Sequence, residues 1–151
     1  MSHPQSREDQ DGFVYETSVD IEAPPALVYR FLTEKELLER WQCVEAEIDL
    51  RVGGAYSLDV TGGDVTRGTF ETLEPGRRLV YTWGFETPGD SRVEIELEEI
   101  TAGTRLRLRH TGLGSDTRRD SHGRGWTHYL ERLASTARGD DPGPDGWRRD
   151  A

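Results

Sequence analysis

The chain has 151 residues, 19 of them Lys or Arg and 29 Asp or Glu, for a net charge of −10. That length suits one domain, which buries roughly 68–70% of its unfolded surface, and the excess negative charge repels phosphate backbones and anionic lipid surfaces, so nucleic-acid and membrane binding are not expected as main roles. Cys43 is the single cysteine, so no internal disulfide can form, and with no signal-peptide pattern or run of about 18 apolar residues a cytoplasmic protein is the expectation.

Residues 1–11 are polar and aperiodic, and residues 139–151 (GDDPGPDGWRRDA) mix Gly, Pro and charge. Both read as disordered tails around a single domain spanning 12–138. The domain opens with an alternating run in which Phe13, Tyr15, Thr17, Val19 and Ile21 share one face, the pattern of a half-buried strand. Ala23-Pro24-Pro25 stops that strand and presets a helix start; Leu27, Val28, Phe31 and Leu32 then form one helical stripe. Thr33 followed by Glu36 has the spacing of a capping box for a second short helix that packs Leu37, Leu38 and Trp41 inward.

Six strand candidates follow at about 44–51, 55–61, 65–73, 78–86, 92–99 and 104–111, separated by turn residues such as Gly53-Gly54, Gly62-Gly63-Asp64 and Pro88-Gly89-Asp90. Connections this short between alternating strands imply an antiparallel meander. On the last two, Glu94, Glu96 and Glu98 are expected opposite Arg105, Arg107 and Arg109 on an exposed face. A terminal helix should start near Ser115 or Asp116, carry Trp126, Tyr129, Leu130, Leu133, Ala134 and Ala137 on one stripe, and end at Gly139. Gly123 and Gly125 predict weakened or frayed first turns. The fold class is therefore α+β. A bent antiparallel sheet closed by one long helix leaves a lined hollow, a binding cavity before any catalytic motif is sought.

Catalytic signatures are missing from local sequence: there is no GxSxG, no HExxH, no CxxC, and no phosphate-binding glycine loop. No metal and no cofactor are expected. His122 and His128 are six residues apart and point to different helix faces, and the basic cluster Arg118, Arg119, Arg124 is interrupted by Asp116 and Asp120. His110 differs, because the alternation that turns Leu106 and Leu108 inward turns it inward too. Such a histidine is either a hydrogen-bonded part of the core or a group that orients a ligand's polar end. The inward aromatic residues pose the same choice between core and cavity wall. The candidate ligand-binding set is Trp41, Tyr56, Phe70, Tyr81, Trp83, Phe85, His110, Trp126 and Tyr129.

Five segments carry a resemblance: IEAPPALVYRFLTEKELLERW at 21–41, DLRVGGAYSL at 49–58, LEPGRRLVYTW at 73–83, TRLRLRHTGL at 104–113 and HGRGWTHYLERLA at 122–134. Together they resemble the family related to the C-terminal domain of the activator of Hsp90 ATPase (AHSA1-like), within the START-like or Bet v 1-like (SRPBCC) superfamily. The resemblance implies a helix-grip fold: a curved antiparallel sheet of six to seven strands wrapped around a long C-terminal helix, with two short helices between strands 1 and 2. It also implies a small hydrophobic ligand, such as a lipid, polyketide or flavonoid, in the cavity between sheet and helix. Two alternatives accompany it. One is a co-chaperone-like or stress-response interaction module with a chaperone partner, monomeric or homodimeric. The other is a cyclase, dehydratase or hydrolase using His110 with Tyr81 or Tyr56 as acid and base. The eukaryotic co-chaperone adds an N-terminal domain with its main chaperone-stimulating contacts, whereas about 12 residues precede the first strand here, so direct Hsp90 activation is not the leading expectation.

Overall fold

A computed structural model describes residues 12–149; the N-terminal tail expected over 1–11 lies outside the described residues. Ten elements follow one another: β1 (Tyr15–Ile21), α1 (Pro25–Thr33), α2 (Lys35–Trp41), β2 (Glu45–Ile48), β3 (Ala55–Asp59), β4 (Val65–Glu74), β5 (Arg78–Trp83), β6 (Ser91–Ile100), β7 (Gly103–Thr111) and α3 (Asp116–Ala137). The seven strands make one antiparallel sheet in the order β1-β7-β6-β5-β4-β3-β2, with α3 laid across its concave face. This is the helix-grip α+β arrangement. No helix among the described residues is long and apolar enough to cross a membrane.

The β6/β7 register sets Glu94, Glu96 and Glu98 opposite Arg109, Arg107 and Arg105. That pairing fixes which residues turn inward, because a slip of one position would reverse every side chain. Val93, Ile95 and Leu97 therefore face the core beside His110, Leu108 and Leu106. A register shift between Phe70 and Thr72 interrupts the β4/β5 ladder, and such irregularities bend a sheet locally. At the β2–β3 turn, a Cβ on Gly54 would fall 2.1 Å from the Asp49 carbonyl oxygen. Only glycine fits there.

Several local expectations are corrected. β1 begins at Tyr15, because Phe13 takes a left-handed backbone conformation with φ of 65°. Thr33 does not cap α2. It belongs to the last turn of α1, and its hydroxyl donates back to the Tyr29 carbonyl at 2.9 Å, the local alternative that Ser and Thr offer a helix. Glu34 takes the N-cap position instead, with its carboxylate engaged by Arg30 at 2.8 Å. The strand expected over 78–86 stops at Trp83, and the one expected over 44–51 runs only from Glu45 to Ile48.

α3 is continuous from Asp116 to Ala137 despite its two glycines. Ser115 caps it, its Oγ accepting from the Arg118 N–H at 3.1 Å. Gly123 has a packing reason: a Cβ there would come within 2.7 Å of the Tyr15 ring, so its absence lets α3 close against β1. The segment expected as a disordered C-terminal tail is instead folded back as far as it is described, to residue 149. It has no helix or strand, but Asp145 is buried, accepting from the Tyr129 hydroxyl at 2.7 Å and bonded to His128 Nε2 at 2.7 Å. Arg149 pairs with Asp64 at 2.9 Å and its N–H bonds the Thr61 carbonyl at 2.7 Å. Arg132 joins this strap to α2, donating to the carbonyls of Gly143 at 3.0 Å and Trp41 at 3.1 Å.

Candidate functional site

A cleft of about 270 Å³ opens between the sheet, the first half of α3 and the C-terminal strap. Its buried wall consists of Gln42, Val60, Trp83, Trp126 and Tyr129, and Phe85, Thr61, Asp64, His122 and Gly125 complete the sides. Ser121 and Trp147 form the exposed rim. Gly125 keeps one side open: a Cβ built there would meet nothing within 4 Å.

Separate parts of the chain place the aromatic walls. Trp83 is the last residue of β5, with its ring 5.3 Å from Trp126 and 5.6 Å from Phe85, centroid to centroid. Trp126 and Tyr129 project from successive turns of α3. Trp147 is held by the strap. Its ring lies parallel to His128 at 4.1 Å, and its backbone N–H bonds Asp145 at 2.9 Å. Asp145 anchors this corner. Burial pushes its carboxyl upward, but the hydrogen bonds from Trp147 N–H, Tyr129 and His128 outweigh that and hold it below the ordinary aspartate value.

The nine residues expected to contact a ligand divide into three groups. Trp83, Phe85, Trp126 and Tyr129 line the cleft. Tyr56, Phe70 and Tyr81 form a tighter cluster, with centroids 5.4 Å and 5.5 Å apart around Tyr56, that adjoins Trp83 through Tyr81 at 6.4 Å. The void beside them measures about 10 Å³, at or below what a single water needs, so their side chains fill the space. Trp41 is core as well, its indole N–H donating to the Phe31 carbonyl at 2.9 Å.

His110 belongs to the interior. It is fully buried, and both ring nitrogens are used: Trp126 Nε1–H donates to Nδ1 at 3.0 Å, and Nε2 meets Ser91 Oγ at 2.8 Å. The indole can only donate, so Nδ1 is unprotonated and the neutral ring carries its proton on Nε2. Ser91 accepts that proton's bond and passes its own hydroxyl hydrogen to the Trp83 carbonyl at 2.8 Å. Burial, followed by the neighbouring His122 and Arg118, depresses the His110 pKa well below the usual histidine value. The acid–base pair of His110 with Tyr81 or Tyr56 does not form. Tyr56 gives its hydroxyl to the Thr82 carbonyl instead, and burial pushes both phenols upward.

His122, which the sequence brings up only through its spacing from His128, also lines the cleft. Its Nδ1 is 2.8 Å from the Arg118 carbonyl, an acceptor only, so Nδ1 carries the proton. In the neutral ring Nε2 then holds a lone pair, and this atom is buried without a protein partner. Burial lowers the His122 pKa, and Arg118 adds to that effect, while the hydrogen bond to the Arg118 carbonyl and the charge of Asp90 act in the opposite sense. Trp83 Nε1–H is likewise buried with no protein acceptor. Two residues of the cleft lining thus each hold a buried ring nitrogen without a protein partner, an acceptor on His122 and a donor on Trp83. Among its described lining residues Asp64 holds the one formal charge, paired with Arg149.

A long helix gripped by a curved antiparallel sheet, with an aromatic cleft between them, defines the helix-grip class. Within that class the chain belongs to the family described as activator of Hsp90 ATPase homolog 1-like protein, whose profile matches residues 22–138. An AHSA1-like protein from Rhizobium etli is 43% identical, over 89% of this chain and 88% of its own, with a TM-score of 0.73. CalU16 from Micromonospora echinospora is 32% identical over 80% of this chain and 71% of its own, with a TM-score of 0.66. A protein from Chromobacterium violaceum is 28% identical over 84% and 99%, with a TM-score of 0.74. No curated protein matches the chain.

Proposed function

We propose that the protein binds a small, largely apolar molecule in the cleft between the sheet and α3. The observation that carries this reading is the contrast between two aromatic clusters. Tyr56, Phe70 and Tyr81 are packed to a residual 10 Å³. Trp83, Phe85, Trp126, Tyr129 and Trp147 surround 270 Å³. Apolar cavities of about 150 Å³ take up benzene, so a space nearly twice that size suits two fused rings. Burial of such a body against aromatic walls supplies affinity at roughly 25 cal/mol per Å² of apolar area. The family's fold supports a ligand-binding role of this general kind.

Three of the four tryptophans, Trp83, Trp126 and Trp147, border the cleft. Titration with 2-naphthol followed by calorimetry, with backbone amide shifts recorded in parallel, tests the reading. Saturable binding with shifts confined to the cleft walls supports it. Absence of saturable heat for 2-naphthol and for its apolar analogues at their solubility limits would refute it.

One observation favours a second reading, a protein-interaction module. Leu50 and Val52 are 46% and 63% exposed on the β2–β3 turn, an apolar tip turned to solvent. Under that reading a Leu50→Ser, Val52→Ser variant stays folded and loses a stoichiometric partner that the unmodified chain retains in pull-down; retention of the partner by the variant counts against it.

A further inference from the structure

We infer that the cleft selects an uncharged aromatic compound bearing a hydroxyl or equivalent donor–acceptor group, with His122 Nε2 accepting its hydrogen and Trp83 Nε1–H donating to its oxygen. This rests on the cleft-binding reading and adds the polar chemistry of the ligand to it.

Two atoms carry the argument. Leaving a buried polar atom without a partner forfeits its hydration with nothing in return, and most such atoms are satisfied in folded proteins. Trp83 is only 5% exposed and Trp126, its neighbour, uses its own indole N–H on His110. Trp83 Nε1–H has no such acceptor, and His122 Nε2 has no donor. Both residues line the same cleft. One is an obligate donor. The other is an obligate acceptor, because its Nδ1 proton is committed to the Arg118 carbonyl at 2.8 Å.

The charges around the cleft argue against an ionic ligand. A carboxylate or phosphate ligand needs a cation, and no Lys or Arg is among the described lining residues. The charge present, Asp64, is negative, and its Arg149 partner at 2.9 Å is already engaged. A cationic ligand would have no free carboxylate and could not donate to His122 without leaving Trp83 unpaired. A purely apolar ligand would leave both atoms unsatisfied. A neutral hydroxyl matches donor and acceptor together, and sites built to hydrogen-bond a hydroxyl discriminate strongly against analogues lacking it.

Three probes of one shape test this: 2-naphthol, 2-methoxynaphthalene, which accepts but cannot donate, and 2-methylnaphthalene, which does neither. Binding to the full chain is measured by calorimetry at pH 7.5. The expected order is naphthol, then the methoxy compound, then the methyl compound, with about tenfold or more between first and last, since each 1.4 kcal/mol is tenfold in affinity. His122→Phe should bring naphthol down to the methoxy compound's level, and Trp83→Phe should erase the advantage of the methoxy over the methyl compound. The unmodified protein alone keeps the test decisive if a variant fails to fold. Equal affinity for all three probes overturns the inference while leaving cleft binding intact. Failure of all three to bind removes the cleft reading itself. Preference for 2-naphthoate over 2-naphthol overturns the assignment of an uncharged ligand.

Discussion

Replacing Gly125 with alanine should stabilise the protein, whereas the same change two residues earlier, at Gly123, should destabilise it. Both glycines are inside the 22-residue helix α3, so both substitutions gain about 0.8–1.0 kcal/mol of helix propensity. At Gly125 nothing stands within 4 Å of the new methyl, and the full gain should appear. For a chain of this size 1 kcal/mol moves Tm by roughly 2–4 °C, so a rise of that order is expected. At Gly123 the methyl would be 2.7 Å from Cε1 and 3.0 Å from Cδ1 of Tyr15, too close for carbon atoms. The Tyr15 ring is confined by β1 and by its hydroxyl's contact with Thr127 at 3.3 Å. Overpacking of this kind costs about 1–3 kcal/mol, which cancels or exceeds the propensity gain and leaves Tm unchanged or several degrees lower. Thermal melts followed by circular dichroism read both. A fall for Gly125→Ala, or equal rises for the two, would refute the claim that one glycine faces open cleft and the other a packed strand. Gly125→Leu extends the test to binding, since its side chain enters the cleft: the variant should fold and lose affinity for 2-naphthol.

Other expectations follow from the buried polar groups. Asp145→Ala should release the strap, because Tyr129, His128 and the Trp147 N–H lose their common acceptor; amide exchange over 143–149 should accelerate and stability fall by about 1–3 kcal/mol, and unchanged exchange would contradict the anchoring role. The folded-state pKa of His110 lies below its unfolded value, so below about pH 6.5 the unfolded chain binds more protons and stability falls with pH, by up to about 1.4 kcal/mol per unit for this fully buried ring. Urea melts of the native chain and of His110→Gln between pH 7.5 and 5 should show a shallower acid slope for the variant; equal slopes would argue against a neutral buried His110. Burial, with Glu39 adding to it, pushes the Cys43 thiol up to about 12, so native protein should resist a thiol reagent that labels the unfolded chain at once.

The parts of the fold that depend on short-range pattern were legible. Alternation in 92–111 predicts that Glu94, Glu96 and Glu98 lie opposite Arg105, Arg107 and Arg109, and the spacing from Trp126 to Ala137 predicts the buried stripe of α3. The site was only half legible. Alternation shows which aromatic residues turn inward but not how much space remains between them, so Tyr56, Phe70 and Tyr81 read the same as Trp83 and Phe85. For His122 the sequence offers only a spacing to test for metal ligation, since nothing in it reveals that Arg118 fixes its tautomer. Trp147 stood in a stretch whose glycines, prolines and charges look like a tail. Distant contacts fold that stretch back, among them Asp145 with Tyr129 and His128, Arg149 with Asp64 and Thr61, and Arg132 with Gly143.

The most direct test of cleft binding follows the four tryptophan indole N–H resonances during titration with 2-naphthol. Trp41 is bonded to the Phe31 carbonyl, Trp126 to His110, and Trp83 to no protein acceptor. The Trp83 signal should move downfield as it gains a hydrogen bond, with smaller ring-current shifts at Trp126 and Trp147, while Trp41 stays fixed. Saturating 2-naphthol that leaves Trp83 unmoved, or that shifts Trp41 and the Tyr56–Phe70–Tyr81 amides instead, would contradict the account.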